Sequence, residues 1–428
     1  MRSEKVRKKT MSANHQSRIF TASCVALIVT AMTFAIRAGI LTELSESFDL
    51  SDSQLGWINS MAFLGFPVAM MLGGLIYNLI GPKKMLYVAF FGHLLGLGLT
   101  ITAGGFWGLL ISTFCIGFAN GSVEAACNPL IADIYHDNKT TMLNRFHVWF
   151  PGGIVIGSLA AFAMGDFGVS WQWQIAVMLL PTAIYGYMIF GLPFPDMAHS
   201  EMSTETNIRS LFSPLYIFML VCMSLTATTE LGTQQWVERI LGNSGASPML
   251  VLAMVTGLMA VGRHFAGPVI HKLQPPGVLL GSAVIATIGI YAMSIASGPL
   301  VYVSAILFAI GVMYFWPTMI GFIGEYLPGT GALGMSLMGG MGMFATGIWQ
   351  PVIGSWLDGA REGALAAGLT ADAAELAAGQ ATLDNLALFP LALIVLFAVL
   401  IFVMKKQGIE PVTSDRVAMA KAAEMPQP

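Results

Sequence analysis

The chain has 428 residues and a formal net charge of −3, with 10% charged residues against 56% hydrophobic ones. A soluble domain carries roughly 25% charged residues to cover itself in water, so a soluble enzyme and a nucleic-acid-binding module are both excluded. Lipid has to be the solvent for much of this surface.

The tail 1–18 is basic and runs straight into an apolar stretch too long for the core of a signal peptide. That stretch is read as a first spanning helix retained in the mature protein. A helix crosses the hydrocarbon core with ~20 apolar residues. The first half of the chain then supplies spans at 19–44, 53–80, 84–104, 106–135, 142–164 and 172–192. A polar linker follows at 193–213. The second half supplies spans at 214–241, 248–271, 277–297, 299–326, 330–357 and 385–404, with a tail at 405–428. The expected fold is an all-α polytopic membrane protein of twelve transmembrane helices, in two pseudo-symmetric six-helix bundles at 19–192 and 214–404.

Basic residues set the orientation. With the N-terminus inside, 17 of the 20 Lys and Arg residues fall on the cytoplasmic side, and only Arg37, Arg239 and Arg361 do not. Both tails are expected in the cytoplasm and the protein in a plasma membrane of the bacterial inner-membrane type. The outer stretch 359–384 is Ala-rich and is expected to be a solvated flap, with gating as the alternative role and with Thr370 able to cap a short surface helix. Cys24, Cys115, Cys127 and Cys222 lie in apolar runs without metal-ligand spacing and read as packing residues. No phosphate-binding loop, nucleophile elbow or zinc-binding helix occurs, which argues against an ATP-driven pump or an enzyme and implies no cofactor or metal.

The two halves echo one another. Gly74-Leu-Ile-Tyr-Asn78-Leu-Ile-Gly81-Pro-Lys83-Lys84 follows the second span, and Gly267-Pro-Val-Ile-His271-Lys272 follows the eighth; Asn128-Pro129 in the fourth answers Trp316-Pro317 in the tenth. Such repeats build transporters with a site between the halves near mid-membrane. With these residues the chain resembles the major facilitator superfamily over nearly its full length. Its Gly74…Gly81-Pro-Lys-Lys loop is similar to the signature between helices two and three, and Asn78 stands where that signature has an aspartate. Within the superfamily, Glu124-Ala-Ala-Cys-Asn128-Pro129, Leu143-Asn144-Arg-Phe-His147 and Glu230-Leu-Gly-Thr-Gln-Gln-Trp236 look like the fucose–proton symporter family, which includes sodium-coupled glucose carriers. That family has an acid on helix one, where this chain reads Ala35-Ile-Arg37-Ala-Gly39. An arginine there, facing a helix-four glutamate, looks more like the anion–cation symporters of sugar acids.

Ionisable groups inside spans cost ~2.5–3.5 kcal/mol for Asp, Arg or Lys and are functional candidates by default. Glu124 is the candidate proton carrier and Arg37 its coupling partner; Arg37 cannot release a proton but can bind a carboxylate with its fork. Pairing of the two as a purely structural bridge, or outward snorkelling of Arg37, are the bland alternatives. Glu230, Gln234, Gln235 and Trp236 on span seven offer the carboxylate, amides and indole that a sugar needs. Asn128, Asn59, Tyr314 and Trp316 are further substrate-site candidates, with local hydrogen bonding or, for Trp316, packing as the alternative reading. His147 reads as a relay or as a helix-end hydrogen bond. Gly74, Asn78, Gly81, Lys83 and Arg263 are assigned to the loop motif and gate, and Arg263 to headgroup contacts.

The reading is secondary active uptake of a sugar with a proton, by a monomer with no partner beyond small-molecule substrate, coupling ion and bilayer. The first alternative is proton-coupled symport of an organic anion held by Arg37, with sodium a possible replacement for the proton. A transport-dead sugar sensor is the alternative of another class.

Overall fold

The computed structural model describes residues 13–135, 142, 145–194 and 204–410, and those residues contain helices and turns but no strand. Ten helices are long and apolar enough to cross a membrane. The expected eighth span is the shorter apolar helix Pro248–His264, and the expected eleventh is the Gly-rich helix Gly331–Ala366. A 17-residue helix reaches about 26 Å, close to the hydrocarbon thickness.

The breaks have local causes. The first helix, Ala13–Gly39, starts inside the expected tail and yields to a short helix, Leu41–Phe48. Ser51 then opens the long helix Asp52–Ile101 with a capping box: its hydroxyl accepts from the Gln54 amide at 3.2 Å, while the Gln54 side chain accepts from the Ser51 amide at 3.0 Å. That helix is interrupted at Gly81, at φ 75° and ψ 164° before Pro82, a conformation natural only to glycine. The matching break in Ala266–Ile295 falls at Gln274, at φ 57° and ψ 156° before Pro275. The two repeats thus turn the same corner, although only the first has glycine there. Span seven is broken by a π-turn at Thr228–Gly232 between Pro214–Ala227 and Thr233–Gln235.

One expectation is corrected outright. Residues 359–384 are not a solvated flap: Gly331–Ala366 runs on through the outer end, a short turn follows, and Ala371–Gln407 begins with Thr370 as its cap. The Ala-rich composition that looked like loop filler is the best helix former available, and the two extensions lean on one another.

The N-terminal helices meet the C-terminal ones along two seams. Trp149–Asp166 packs against Pro248–His264, and Asp52–Ile101 packs against Gly331–Ala366. The second seam is backbone on backbone at its outer part. A Cβ on Gly56 would sit 2.6 Å from the Gln350 carbonyl oxygen and from the Pro351 Cα, so only glycine permits that approach.

Candidate functional site

Arg37 lies in the last turn of Ala13–Gly39 and is 5% exposed, which rules out snorkelling. Its Nε donates to Asn59 Oδ1 at 3.0 Å and its Nη2 to Gln235 Oε1 at 2.6 Å. The Gln235 amide nitrogen donates onward to the Phe34 carbonyl at 3.1 Å, and the guanidinium lies 5.1 Å from the centre of the Phe34 ring. Arg37 thereby bridges the first, second and seventh spans. Among the described residues it has no carboxylate partner: the ion pairs belong to Arg239, Arg263 and Arg361. The expected contact with Glu124 is absent, because Arg37 sits toward the outer end of its helix and Glu124 well inward along Phe106–Ile134. Beside the Arg37–Gln235 contact is a small cavity walled by Phe34, Phe63, Phe150 and Leu231, with Gln234 and Gln235 as its polar groups. Gln234 is held, among the described residues, by a 3.4 Å amide–thioether contact to Met259.

Toward the chain termini lie two further polar groups. Glu124 accepts from the Asn128 amide at 3.2 Å, and the Asn128 oxygen accepts from His147 Nε2 at 3.0 Å. The i,i+4 spacing of 124 and 128 puts both on one helix face. On the other side, Glu230 accepts from Arg263 Nη2 at 3.2 Å, while Arg263 Nε donates to the Met313 carbonyl at 2.8 Å. The second Glu230 oxygen is buried without a partner among the described residues. His147 is within electrostatic reach of both Glu124 and Arg263, so the two groups face each other across the interface. Tyr314 donates to the Gly262 carbonyl at 3.2 Å, beside Arg263.

The structure corrects several assignments. Arg263 is the ion-pair partner of Glu230 and not a headgroup contact. Trp236 is fully buried in the hydrophobic core, its indole nitrogen unpartnered among the described residues, and does not line the cavity. The π-turn at 228–232 is the reason: one extra residue per turn rotates the remainder of the span by ~100° relative to a regular helix. Trp316 packs on Gly339 and Gly342. Lys83 donates to the Leu192 carbonyl at 2.7 Å and thereby ties the turn at Gly81 to the end of span six. Gly74 is helical in its backbone, and the side chain of Asn78, like Leu143 and Asn144, lies outside the described residues.

At the end of the interface away from the chain termini, the expected outer end, a network appears that the residue pattern did not suggest. The Asp52 side chain, 0% exposed, takes both arms of Arg239, at 2.7 and 3.0 Å, and also Arg361. Arg361 reaches Glu375 at 2.6 and 3.1 Å and Asp358 at 3.2 Å. Burial alone would lower the Arg361 pKa, but its hydrogen bonds to Glu375 and Asp52 and their charges raise it instead. Asp358 accepts from the Asp52 and Ser53 amides at 3.1 and 2.9 Å and from the Ser53 hydroxyl at 2.6 Å, where a negative charge suits a helix N-terminus. Glu238 accepts from the Thr42 amide at 3.1 Å and the Thr42 hydroxyl at 2.6 Å. A signal for this network was in the sequence. Arg37, Arg239 and Arg361, the three exceptions to the charge asymmetry, all lie on this interface or its outer end.

Comparison with known proteins gives the family. The family model of the Major Facilitator Superfamily matches residues 23–350, and the chain belongs to that superfamily of membrane transporters, as a multi-pass membrane protein. NiaP of Bacillus subtilis, whose name assigns it niacin and nicotinamide, is 24% identical over 220 residues, 49% of this chain and 54% of the relative. The chain spans 32% of the length of mammalian spinster homologs that it matches. Among solved structures, a bacterial homolog of the human lysosomal transporter Spinster superposes with a TM-score of 0.74 at 13% identity, over 91% of this chain and 97% of that one. The Escherichia coli fucose–proton symporter superposes at 0.56 with 16% identity, over 89% and 99%. These two are likenesses of fold.

Proposed function

We propose that this superfamily member is a secondary active transporter of an organic anion with an apolar or aromatic body, taken up with a proton across the bacterial inner membrane. It acts as a monomer, with both tails in the cytoplasm. Its two six-helix bundles, 19–192 and 214–404 joined by the linker 193–213, alternate in exposing the site between them.

One observation carries the choice of anion over neutral sugar: Arg37 is buried with only neutral partners among the described residues. An uncompensated buried charge costs several kcal/mol, and an anionic substrate would remove that cost by supplying the missing carboxylate to a planar donor fork. The apolar wall of Phe34, Phe63, Phe150 and Leu231 beside it suits a body without hydroxyls. The name of NiaP supports the aromatic body, which niacin, a carboxylate, and nicotinamide, a neutral amide, share. Glu124 serves as the proton carrier: its partner Asn128 is neutral, it is half-buried, and the Asn128–His147 bond continues the chain of exchangeable groups.

The test is uptake into proteoliposomes with an imposed pH gradient, comparing nicotinate and other aromatic acids, sugar acids and neutral sugars. Acids should accumulate. Arg37→Gln should weaken their binding about 100-fold, the scale of losing one buried charge-assisted pair. Glu124→Gln should abolish uphill accumulation and leave exchange. Accumulation of neutral sugars, indifferent to Arg37→Gln, would sink the anion reading. It would favour a sugar instead, for which the unpartnered Glu230 oxygen and the weakly held Gln234 would be the contacts.

A further inference from the structure

We infer that Glu238 is a proton-operated latch of the outer gate, a second coupling carboxylate separate from Glu124. Glu238 stands one turn beyond Gln235, on Val237–Leu241, and reaches across to Thr42 on the opposing side. Both of its oxygens accept: one from the Thr42 hydroxyl, the other from the Thr42 backbone amide. The amide has no lone pair to offer, so a protonated carboxyl keeps that bond only through its carbonyl oxygen and has to aim its hydrogen at the Thr42 hydroxyl. That hydroxyl already accepts from Arg239 Nη1 at 3.3 Å, so taking the carboxyl hydrogen uses its second lone pair and turns its own hydrogen away from Glu238. Ionised Glu238 therefore holds the closed outer end by two charge-assisted bonds, and protonation weakens both and favours opening.

The surrounding charges make this site different from its neighbours. Arg239, the adjacent residue, is committed to Asp52. Asp52 is shared between Arg239 and Arg361, and Glu375 and Asp358 are bound to Arg361. Glu43, next to Thr42, accepts from Gln174 at 2.8 Å. Among the described carboxylates at this end that cross between the chain's halves or bind its arginines, Glu238 alone is held without an arginine bond: Asp358 also takes three neutral donors but is tied to Arg361 as well. Its protonation therefore breaks the latch without first stripping a carboxylate from an arginine. The direction fits uptake. A proton arriving from outside holds the outer end open for substrate, and its departure lets the end close. The latch rests on the proposed transport cycle in requiring alternating exposure, but on neither its substrate nor Glu124.

The test is spin-label distance measurement between Ser47→Cys and Asn243→Cys, at exposed positions on the two sides of the outer end, in the full-length protein without substrate. The protein lacking the two added cysteines controls for native thiols. In the otherwise native protein the distance should lengthen as pH falls from about 8 to about 5, the range over which a carboxyl with a perturbed pKa titrates. With Glu238→Gln the long distance should dominate at every pH. Thr42→Val, which removes one donor and keeps the amide, should move the transition upward by roughly one pH unit. Glu375→Gln should leave its midpoint in place. A transition that persists unshifted in Glu238→Gln and Thr42→Val, one that follows Glu375, or no transition in the native protein would each overturn the latch. None of these outcomes bears on whether anions are carried, so failure of the latch and failure of the substrate reading are separable.

Discussion

Two parts of the same interface treat arginine in opposite ways. At the outer end Arg239 and Arg361 are supplied with Asp52, Asp358 and Glu375, so each guanidinium has carboxylate oxygens on more than one arm. Further in, Arg37 is more deeply buried than either and receives only amide oxygens and a phenyl face. A folded protein needing only adhesion would have no reason to place the expensive charge where the partners are missing. Complete pairing marks a clasp, and incomplete pairing marks a place kept for something that comes and goes.

That contrast can be broken at each end. Asp52→Asn should have the largest effect, leaving Arg239 and Arg361 facing a neutral group; removal of one member of a buried ion pair costs ~3–5 kcal/mol. A marked fall in thermal stability in detergent is expected, and an unchanged melting curve would refute the clasp. Arg37→Gln should go the other way, gaining ~1–3 kcal/mol in the absence of substrate, because it removes a buried charge that no carboxylate offsets. The same variant should lose the stabilisation that a saturating anion gives the native protein, ~2.7 kcal/mol at about a hundred times Kd. If Arg37→Gln destabilises the substrate-free protein as severely as Asp52→Asn, the two regions are alike and the distinction fails. Glu375→Gln is the mild case. This carboxylate is 32% exposed and shares Arg361 with Asp52 and Asp358, so a loss of at most about 1 kcal/mol is expected, read from the same melts.

The helical spans were legible because lipid imposes a length and a composition on each crossing, whereas the breaks inside them, at Ile40 and at the π-turn Thr228–Gly232, were not. The turn at Gly81 announces itself through Gly-Pro, whereas Gln274, in the same backbone conformation, gives only its prolines as a sign. Within the site, Arg37 and Glu230 stood out as charges in apolar runs, but their partners did not. The Glu230–Arg263 pair needs the rotation of span seven at a π-turn, and a helical wheel drawn through 214–241 assumes there is none. Asp52, Glu238 and Glu375 were missed for another reason. They sit near helix ends where charges normally meet water, and the arginines that Asp52 holds lie 187 and 309 residues from it along the chain. Nothing in their immediate surroundings distinguishes them from solvated side chains.

The helical hairpin made by the ends of Gly331–Ala366 and Ala371–Gln407 has a practical use as well as a structural one. Small transporters offer an electron microscope little to align on, since most of their mass is hidden in detergent or lipid. Here two continuous helices run on past the expected spans 330–357 and 385–404 and are stapled by Arg361 and Glu375, presenting a stiff, discontinuous epitope. An antibody fragment raised against it would serve as an alignment marker. Because the staple also reaches Asp52 on the opposite side, fragments selected for the intact hairpin junction would sort the molecules by gate position before any image is classified.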